Sequence, residues 1–582
     1  MFYCFVLLCQ MTAWTQPVSD DLPRVTECIA LVNIKLVAAP GKSPMTQTVV
    51  LRDGLITHMG ADIRIPPDAY IIQADSMYAY PAFIDAFSHT GIKEETTTPA
   101  QGGQGRSQRP PVDEEGNPSH EDAGITPFTS VRTSIDAKEK SIADWRAQGF
   151  AVAHVVPKGR MIPGKGSIII MSGKNANELI WKENVSLYSQ WNGAGGNYPT
   201  TVIAMMAKWR ELYENTSLYL AHMAAYQNQN ANLVSRPIFA QAHEALTPVV
   251  KKEMPVFFRA AKVKDISRAL ALQEDLGMKL VIADAEEAYF LKDHFAKKTT
   301  PLVLSLDLPE EKGDDKDEKD APPASTPLPD STKTIEGEKK KPNPEVEAFE
   351  KRRAESLMSH RAQAATFSNA GIPFSFGTMS VKPGDFSKNV QAMITQGLPA
   401  EAAPAALTTK PASLLGIEKQ CGTLEVGKMA NIIVSNKELF EKDYAIRYMV
   451  VEGSLYEYEA KEKKKPSEKV TEEVAAVIKG TWSFTIEAPD KKRSGTMEFT
   501  NEEGAISGSV EGEDFTPGGS SLDGIVIDGN SVSFTNVIDF EGQNLTLEFD
   551  INLRGESFDG NVTVGSFGSF PITGQRTAKP KF

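Results

Sequence analysis

Few residues in this chain can do chemistry. Its 582 residues include 8 histidines and 4 cysteines, so a metal site must draw on a small pool of imidazoles, and a disulfide framework is excluded. The familiar arrangements fail in turn. Gly159-Arg160-Met161-Ile162-Pro163-Gly164-Lys165 has the outline of a phosphate-binding loop, but Gly166 stands where a magnesium-binding hydroxyl is needed, and the strand-like Ser167-Ile168-Ile169-Ile170 follows instead of a helix. His243-Glu244 opens like a zinc-protease helix, but Thr247 occupies the second ligand position. No Gly-x-Ser-x-Gly nucleophile elbow occurs. Residues 480–582 contain neither His nor Cys, which makes them a poor place for a metal or a nucleophile.

The elements that must position any site fall into three zones. Residues 26–79 alternate short β-rich runs with turns, Arg52-Asp53-Gly54 being a hairpin signal, and 417–458 read the same way. Each is too short for a core of its own, so the expectation is one small β-sandwich built from both flanks. Between them, 80–416 alternate apolar runs (around Phe83, Val152, Ile168, Phe257, Ile282, Val303 and Phe374) with helical intervals. That pattern predicts a parallel α/β architecture, a TIM-type (β/α)8 barrel with its chemistry at the C-terminal strand ends. Residues 480–582 alternate apolar and polar residues with frequent turns and predict a C-terminal all-β module, an antiparallel barrel or sandwich. Residues 307–341 hold 11 acidic residues, 7 basic residues, 5 prolines and no aromatic residue, the composition of a disordered insertion. Residues 459–479 read as a Lys/Glu-rich linker.

The segment Tyr80-Pro81-Ala82-Phe83-Ile84-Asp85-Ala86-Phe87-Ser88-His89 resembles the first barrel strand of the amidohydrolase superfamily, which runs Pro-Gly-hydrophobic-Ile-Asp and then His-x-His. Ala406-Leu407-Thr408-Thr409-Lys410-Pro411-Ala412 is similar to the family's final helix, and Gly422-Thr423-Leu424-Glu425-Val426-Gly427-Lys428-Met429-Ala430-Asn431 to its return strand. The two signals bracket the barrel, and the imidazolonepropionase-like branch is the part of the family that the chain most resembles. The resemblance implies a hydrolase acting on carbon–nitrogen bonds other than peptide bonds. In such a hydrolase a divalent metal, zinc for example, is held by histidines at several strand ends, and a carboxylate at the last strand takes a proton from the metal-bound water.

Matched position by position, this chain departs from that set. Phe87 replaces the first His, and His89 alone remains as a metal-ligand position. Arg259 and Asp284 stand where strands five and six carry histidines, and Met379 stands where strand eight carries its Asp. Phe and Met are poor zinc ligands, and Arg repels a cation. His89, Arg259 and Asp284 are therefore candidates for a ligand pocket, with Arg259 and Asp284 as an ion pair. Two functions follow as expectations: a family hydrolase with impaired metal chemistry, or a non-catalytic subunit that binds a small-molecule ligand or an active relative, as a homo-oligomer or a complex.

Composition narrows the setting. A net charge of -14 lacks the basic footprint of a nucleic-acid binder, and no apolar run is long enough to span a bilayer. Residues 1–16 resemble the apolar core of a signal peptide and predict a secreted or periplasmic protein. Without that segment only Cys28 and Cys421 remain, expected as two buried thiols, with a disulfide between them as the second reading.

Overall fold

The structure, a computed structural model, describes residues 27–93, 118–309 (without 195, 229–233 and 299), 344–458 and 478–578, the last stretch with short breaks. The expected signal peptide at 1–16, nearly all of the insertion at 307–341 and most of the linker at 459–479 lie outside the described residues. The chain divides into two compact units at 460/461.

The first unit carries sixteen described strands. In chain order they are β1 (Cys28–Leu36), β2 (Met45–Arg52), β3 (Leu55–Gly60), β4 (Tyr70–Gln73), β5 (Tyr78–Pro81), β6 (Phe83–Ser88), β7 (Phe150–Val155), β8 (Gly164–Ile170), β9 (Ile180–Gln190), β10 (Val256–Arg259), β11 (Leu280–Ala285), β12 (Leu302–Ser305), β13 (Ser375–Gly377), β14 (Ile432–Ser435), β15 (Ile446–Val451) and β16 (Ser454–Glu457).

The two flanks of the barrel join in one hydrogen-bonded sheet ordered β16-β15-β14-β5-β1-β2-β3, with β4 pairing β1. β5 pairs antiparallel with β14, Tyr80 opposite Ile433, so strands about 350 residues apart become neighbours. The β2–β3 hairpin turns on Asp53 and Gly54, both at positive φ (52° and 77°), as a two-residue turn matching strand twist requires. Its core includes Ile29, Leu31, Val49, Leu51, Ile432 and Val450.

β6 to β13 form the barrel sheet, in the spatial order β13-β12-β11-β10-β9-β8-β7-β6. The eight strands are as expected, but the strict (β/α)8 pattern is not: β8 runs antiparallel to both β7 and β9, while the remaining neighbours are parallel. Connection length explains this. A parallel crossover needs a dozen or more residues, usually including a helix. Residues 156–163 join β7 to β8, and only the one-turn helix Ala176–Leu179 lies between β8 and β9, so both links close as antiparallel ones. The sequence patterning also passed over β9, whose start, Trp181-Lys182-Glu183-Asn184, is polar and partly exposed, whereas Ser186 to Ser189 are buried. Outside the sheet, helices Lys140–Ala147, Val202–Gln227, Val263–Leu276 and Pro383–Thr395 bury Trp145, Trp209, Leu272 and Phe386 against it.

The edges of the barrel sheet meet through Asp85. Its Oδ1 accepts hydrogen bonds from Phe87 N and from Thr378 N, each at 3.1 Å, and Oδ2 accepts from Thr378 Oγ1. An added Cβ on Gly377 would lie 3.0 Å from the Phe87 carbonyl oxygen, a tight contact that glycine avoids. Cys28 and Cys421 are both buried free thiols.

In the second unit, β17 (Gly480–Glu487), β18 (Lys492–Glu502), β19 (Ala505–Gly512), β20 (Ser520–Ser521), β21 (Asp523–Asp528), β22 (Ser531–Phe540), β23 (Gln543–Arg554), β24 (Ser557–Val564) and β25 (Gly568–Ala578) form one sheet ordered β20-β19-β18-β17-β25-β24-β23-β22-β21. Trp482, Phe484 and Ile486 alternate into its core as a half-buried strand demands. Asn536 on β22 donates to Ser520 Oγ at 2.8 Å and to the Ser521 carbonyl at 2.9 Å, joining the edge strand β20 to β22, the neighbour of the other edge. Phe558 lies over Gly574, where an added Cβ would meet its ring carbons at 2.3 Å.

Two outcomes follow. Burial raises the Asp85 pKa from 3.8 to about 6, against the hydrogen bonds from Thr378 and Phe87. Because the folded-state value lies above the unfolded one, the carboxyl contributes most below about pH 4, and that contribution, about 3 kcal/mol, is lost as pH rises through about 6. Asp85→Asn, whose amide can accept both N–H groups and donate to Thr378, should flatten this part of the melting temperature profile between pH 4 and 7.5. Gly574→Ala should destabilise the second unit by about 1–3 kcal/mol, read as an earlier unfolding transition in calorimetry while the transition of the first unit stays in place.

Candidate functional site

β10 and β11 are parallel and in register, Arg259 opposite Ala283, which places Arg259 and Asp284 side by side at their C-terminal ends. Arg259 Nε donates to Asp284 Oδ2 at 2.8 Å. Arg259 Nη2 donates to Ser380 Oγ at 3.0 Å, and Ser380 Oγ–H donates to the same Asp284 Oδ2 at 2.7 Å. The result is a closed triangle of a guanidinium, a carboxylate and a hydroxyl drawn from the ends of β10 and β11 and the turn after β13. Asp284 is 1% exposed and Arg259 37%. Burial works against the Arg259 charge, but Asp284 and Tyr188 outweigh it and hold its pKa above the ordinary value. Asp284 sits at φ 57°, a left-handed conformation that Asp tolerates better than most residues, and residues held in such regions cluster at functional sites. Its Oδ1 is buried and accepts no hydrogen bond from the described residues.

His89 follows the end of β6. Its Nδ1–H donates to the Val156 carbonyl at 2.8 Å, which leaves Nε2 as an acceptor in the neutral ring. Burial pushes its pKa down to about 4; the charges of Lys158 and Arg259 lower it further, and the Val156 bond and Asp284 oppose. Its ring lies 6.1 Å from that of Tyr188, whose hydroxyl donates to Gln190 Oε1 at 2.8 Å and whose phenol pKa is raised by burial, with Arg259 and Asp284 also acting on it. His89, Arg259 and Asp284 thus share one electrostatic neighbourhood.

Below the mouth the bore is apolar. Phe87 is fully buried, stacked on Phe257 with ring centroids 6.2 Å apart and edge-on to Tyr188 at 5.4 Å. Val156, Val281, Ala283 and Val303 complete this cluster, and half-buried Met379 packs on it. His154, on β7, was missed in the sequence because it sits inside the apolar run Phe150–Val155. It is fully buried, its Nδ1–H donating to the Ala86 carbonyl at 3.0 Å and its Nε2 paired with Ser186 Oγ at 2.7 Å, and burial pushes its pKa down to about 4. Both ring nitrogens are engaged. Ser380 and Tyr188 were also missed. Ser380 adjoins a position that was read only for its family match, and Tyr188 lies on the overlooked strand β9.

The divalent ion that the family resemblance implies does not fit the residues present. The matched positions offer Phe87, Arg259 and Met379. Asp284 is committed through one oxygen to a guanidinium, and His89 can offer one nitrogen where a catalytic zinc takes about three protein ligands. Among the described residues no group of three or more His, Cys, Asp or Glu side chains is placed to hold a metal ion. No helix among them is long and apolar enough to cross a membrane.

A model of the amidohydrolase family matches residues 379–456, which hold the last barrel helices and β14 to β16. No curated protein sequence matches the chain. Among solved structures, the amidohydrolase from Thermotoga maritima MSB8 aligns over 74% of this chain and 100% of its own, at 19% identity and a TM-score of 0.56, which shows a shared fold. A putative prolidase from Bifidobacterium longum aligns over 74% and 95% at 14% identity and a TM-score of 0.40. A β-aspartyl dipeptidase from Fervidobacterium islandicum-AW-1 aligns over 74% and 97% at 11% and 0.36.

Removing one partner of the triangle strands the other. Arg259→Gln should destabilise the first unit by roughly 2–4 kcal/mol, because the Asp284 charge is left buried. Adding Asp284→Asn should recover more than half of that loss. Denaturant unfolding of the two variants measures it, and independent, additive losses would show that the pair is not coupled.

Proposed function

We propose that this chain, which shares its fold with an amidohydrolase and matches the amidohydrolase family over residues 379–456, does not hydrolyse carbon–nitrogen bonds through metal-activated water but binds a small polar molecule at the barrel mouth. One observation carries this reading. The family's ligand positions are filled by an apolar plug, Phe87 against Phe257 and Tyr188 with Met379 packed on it, and are capped by the Arg259–Asp284–Ser380 triangle. Hydrolysis by the family route needs an ion to acidify water and a carboxylate to take its proton. Met379 supplies no base, and the Asp284 carboxylate oxygen nearest a donor already accepts from Arg259 and Ser380. His89 remains neutral and in place, and it serves this reading as a hydrogen-bond acceptor for the ligand.

Elemental analysis of the purified protein, alongside hydrolysis assays on cyclic amides and dipeptides, tests this. Well under one zinc or other divalent metal per chain is expected, with turnover indistinguishable from that of the denatured protein. About one tightly held metal per chain, with turnover abolished by His89→Ala, would establish the family hydrolase with a different ligand set. Phe87→His, Arg259→His and Met379→Asp together should raise zinc affinity by at least about tenfold, measured by competition with a chromogenic chelator.

A further inference from the structure

Resting on that reading of the barrel mouth, we propose that the ligand is a small zwitterion, with an ammonium and a carboxylate on one short frame as in a free amino acid. The argument is a count of unmet donors and acceptors. Asp284 Oδ2 accepts from Arg259 and Ser380, whereas Oδ1 is buried and accepts nothing from the described residues. A carboxylate oxygen withdrawn from both water and donors is costly, and a donor brought to it recovers that cost. His89 adds a second acceptor, Nε2, because its Nδ1–H is committed to the Val156 carbonyl. Two acceptors close to one buried negative charge suit an ammonium group.

Arg259 supplies the opposite half. A guanidinium carries five N–H donors. Here Nε and Nη2 are engaged by Asp284 and Ser380 and Tyr188 also hydrogen-bonds the guanidinium, which leaves part of the five donors, while 37% of the side chain is exposed. A cation held in one orientation, with donors to spare, suits a carboxylate. The Arg259–Asp284 pair is itself neutral, so a ligand of one charge would satisfy one member and leave the other as it is. A zwitterion satisfies both at once.

Titration calorimetry and thermal shift on the unaltered protein, with its metal content measured, test the proposal. Glycine, L-alanine and L-leucine serve as zwitterions, and acetate and ethylammonium as single-charge controls. At least one zwitterion should bind saturably and about tenfold or more tighter than either control. The Arg259→Gln/Asp284→Asn variant, whose pair is neutral, should lose about tenfold or more of that affinity. If it does not melt cooperatively, Ser380→Ala, which removes one tether from Arg259 and no charge, should weaken binding by about threefold or more. A control that binds as tightly as the best zwitterion, or no binding by any of the three, overturns the proposal. A stoichiometric metal with turnover would instead overturn the reading it rests on, whereas a metal-free protein indifferent to all three zwitterions overturns this inference alone.

Discussion

One buried carboxylate ties the first barrel strand to the turn after the last. Asp85 and Thr378 are 293 residues apart, and their hydrogen bonds bring β6 and β13 together. Everything at the mouth depends on that closure. Phe87 is two residues beyond Asp85, and Met379 and Ser380 follow directly on Thr378. The same contact therefore seats the apolar plug and brings the Ser380 hydroxyl to Arg259 and Asp284. A carboxylate in this place is tolerated because three donors meet it, two of them backbone N–H groups held by the strands.

Above the closure, the mouth carries charge over an apolar bore. In a metal-dependent barrel the cation is the largest local charge and organises the acidic and imidazole groups around it. Here Arg259, a cation on the chain itself, stands at the mouth with Asp284 as its counter-ion. Arginine cannot give up its proton in a protein and cannot activate water as a metal does. What it can do is orient and hold an acceptor. Beneath it Phe87, Phe257 and Tyr188 pack together as an apolar floor.

The barrel also departs from uniform alternation at one place. Antiparallel β8 replaces a helical crossover with two short links, and it places Gly166 against His154 Nε2 and Ser186 Oγ, where an added Cβ would sit 2.6 Å and 2.5 Å from them. His154 is consequently sealed inside, its nitrogens spent on Ala86 and Ser186. A histidine in a barrel is thereby a structural link between β6, β7 and β9 and not a member of the site.

How much of this was legible in the sequence follows from the range over which each feature is decided. Short β-rich runs, apolar runs and the Asp53-Gly54 turn are local, and they identify β1 to β4, β6 to β8, β10 to β13 and the strands of the second unit directly. The substitutions Phe87, Arg259 and Met379 needed only a residue-by-residue comparison with a pattern, and so did the choice of His89, Arg259 and Asp284. Strand β9 escaped because its exposed first half, Trp181 to Asn184, breaks the alternation, and the direction of β8 followed from connection lengths that were legible but not weighed. The rest is decided across long separations. Ser380 and Asp284 are 96 residues apart, His89 and Val156 67, and Asp85 reaches Thr378 only when the sheet closes. A chain's local pattern fixes which side chains face inward. Which of them touch, and which oxygen of Asp284 is left without a donor, depends on the curvature and register of the closed sheet, and that exists only in the tertiary structure.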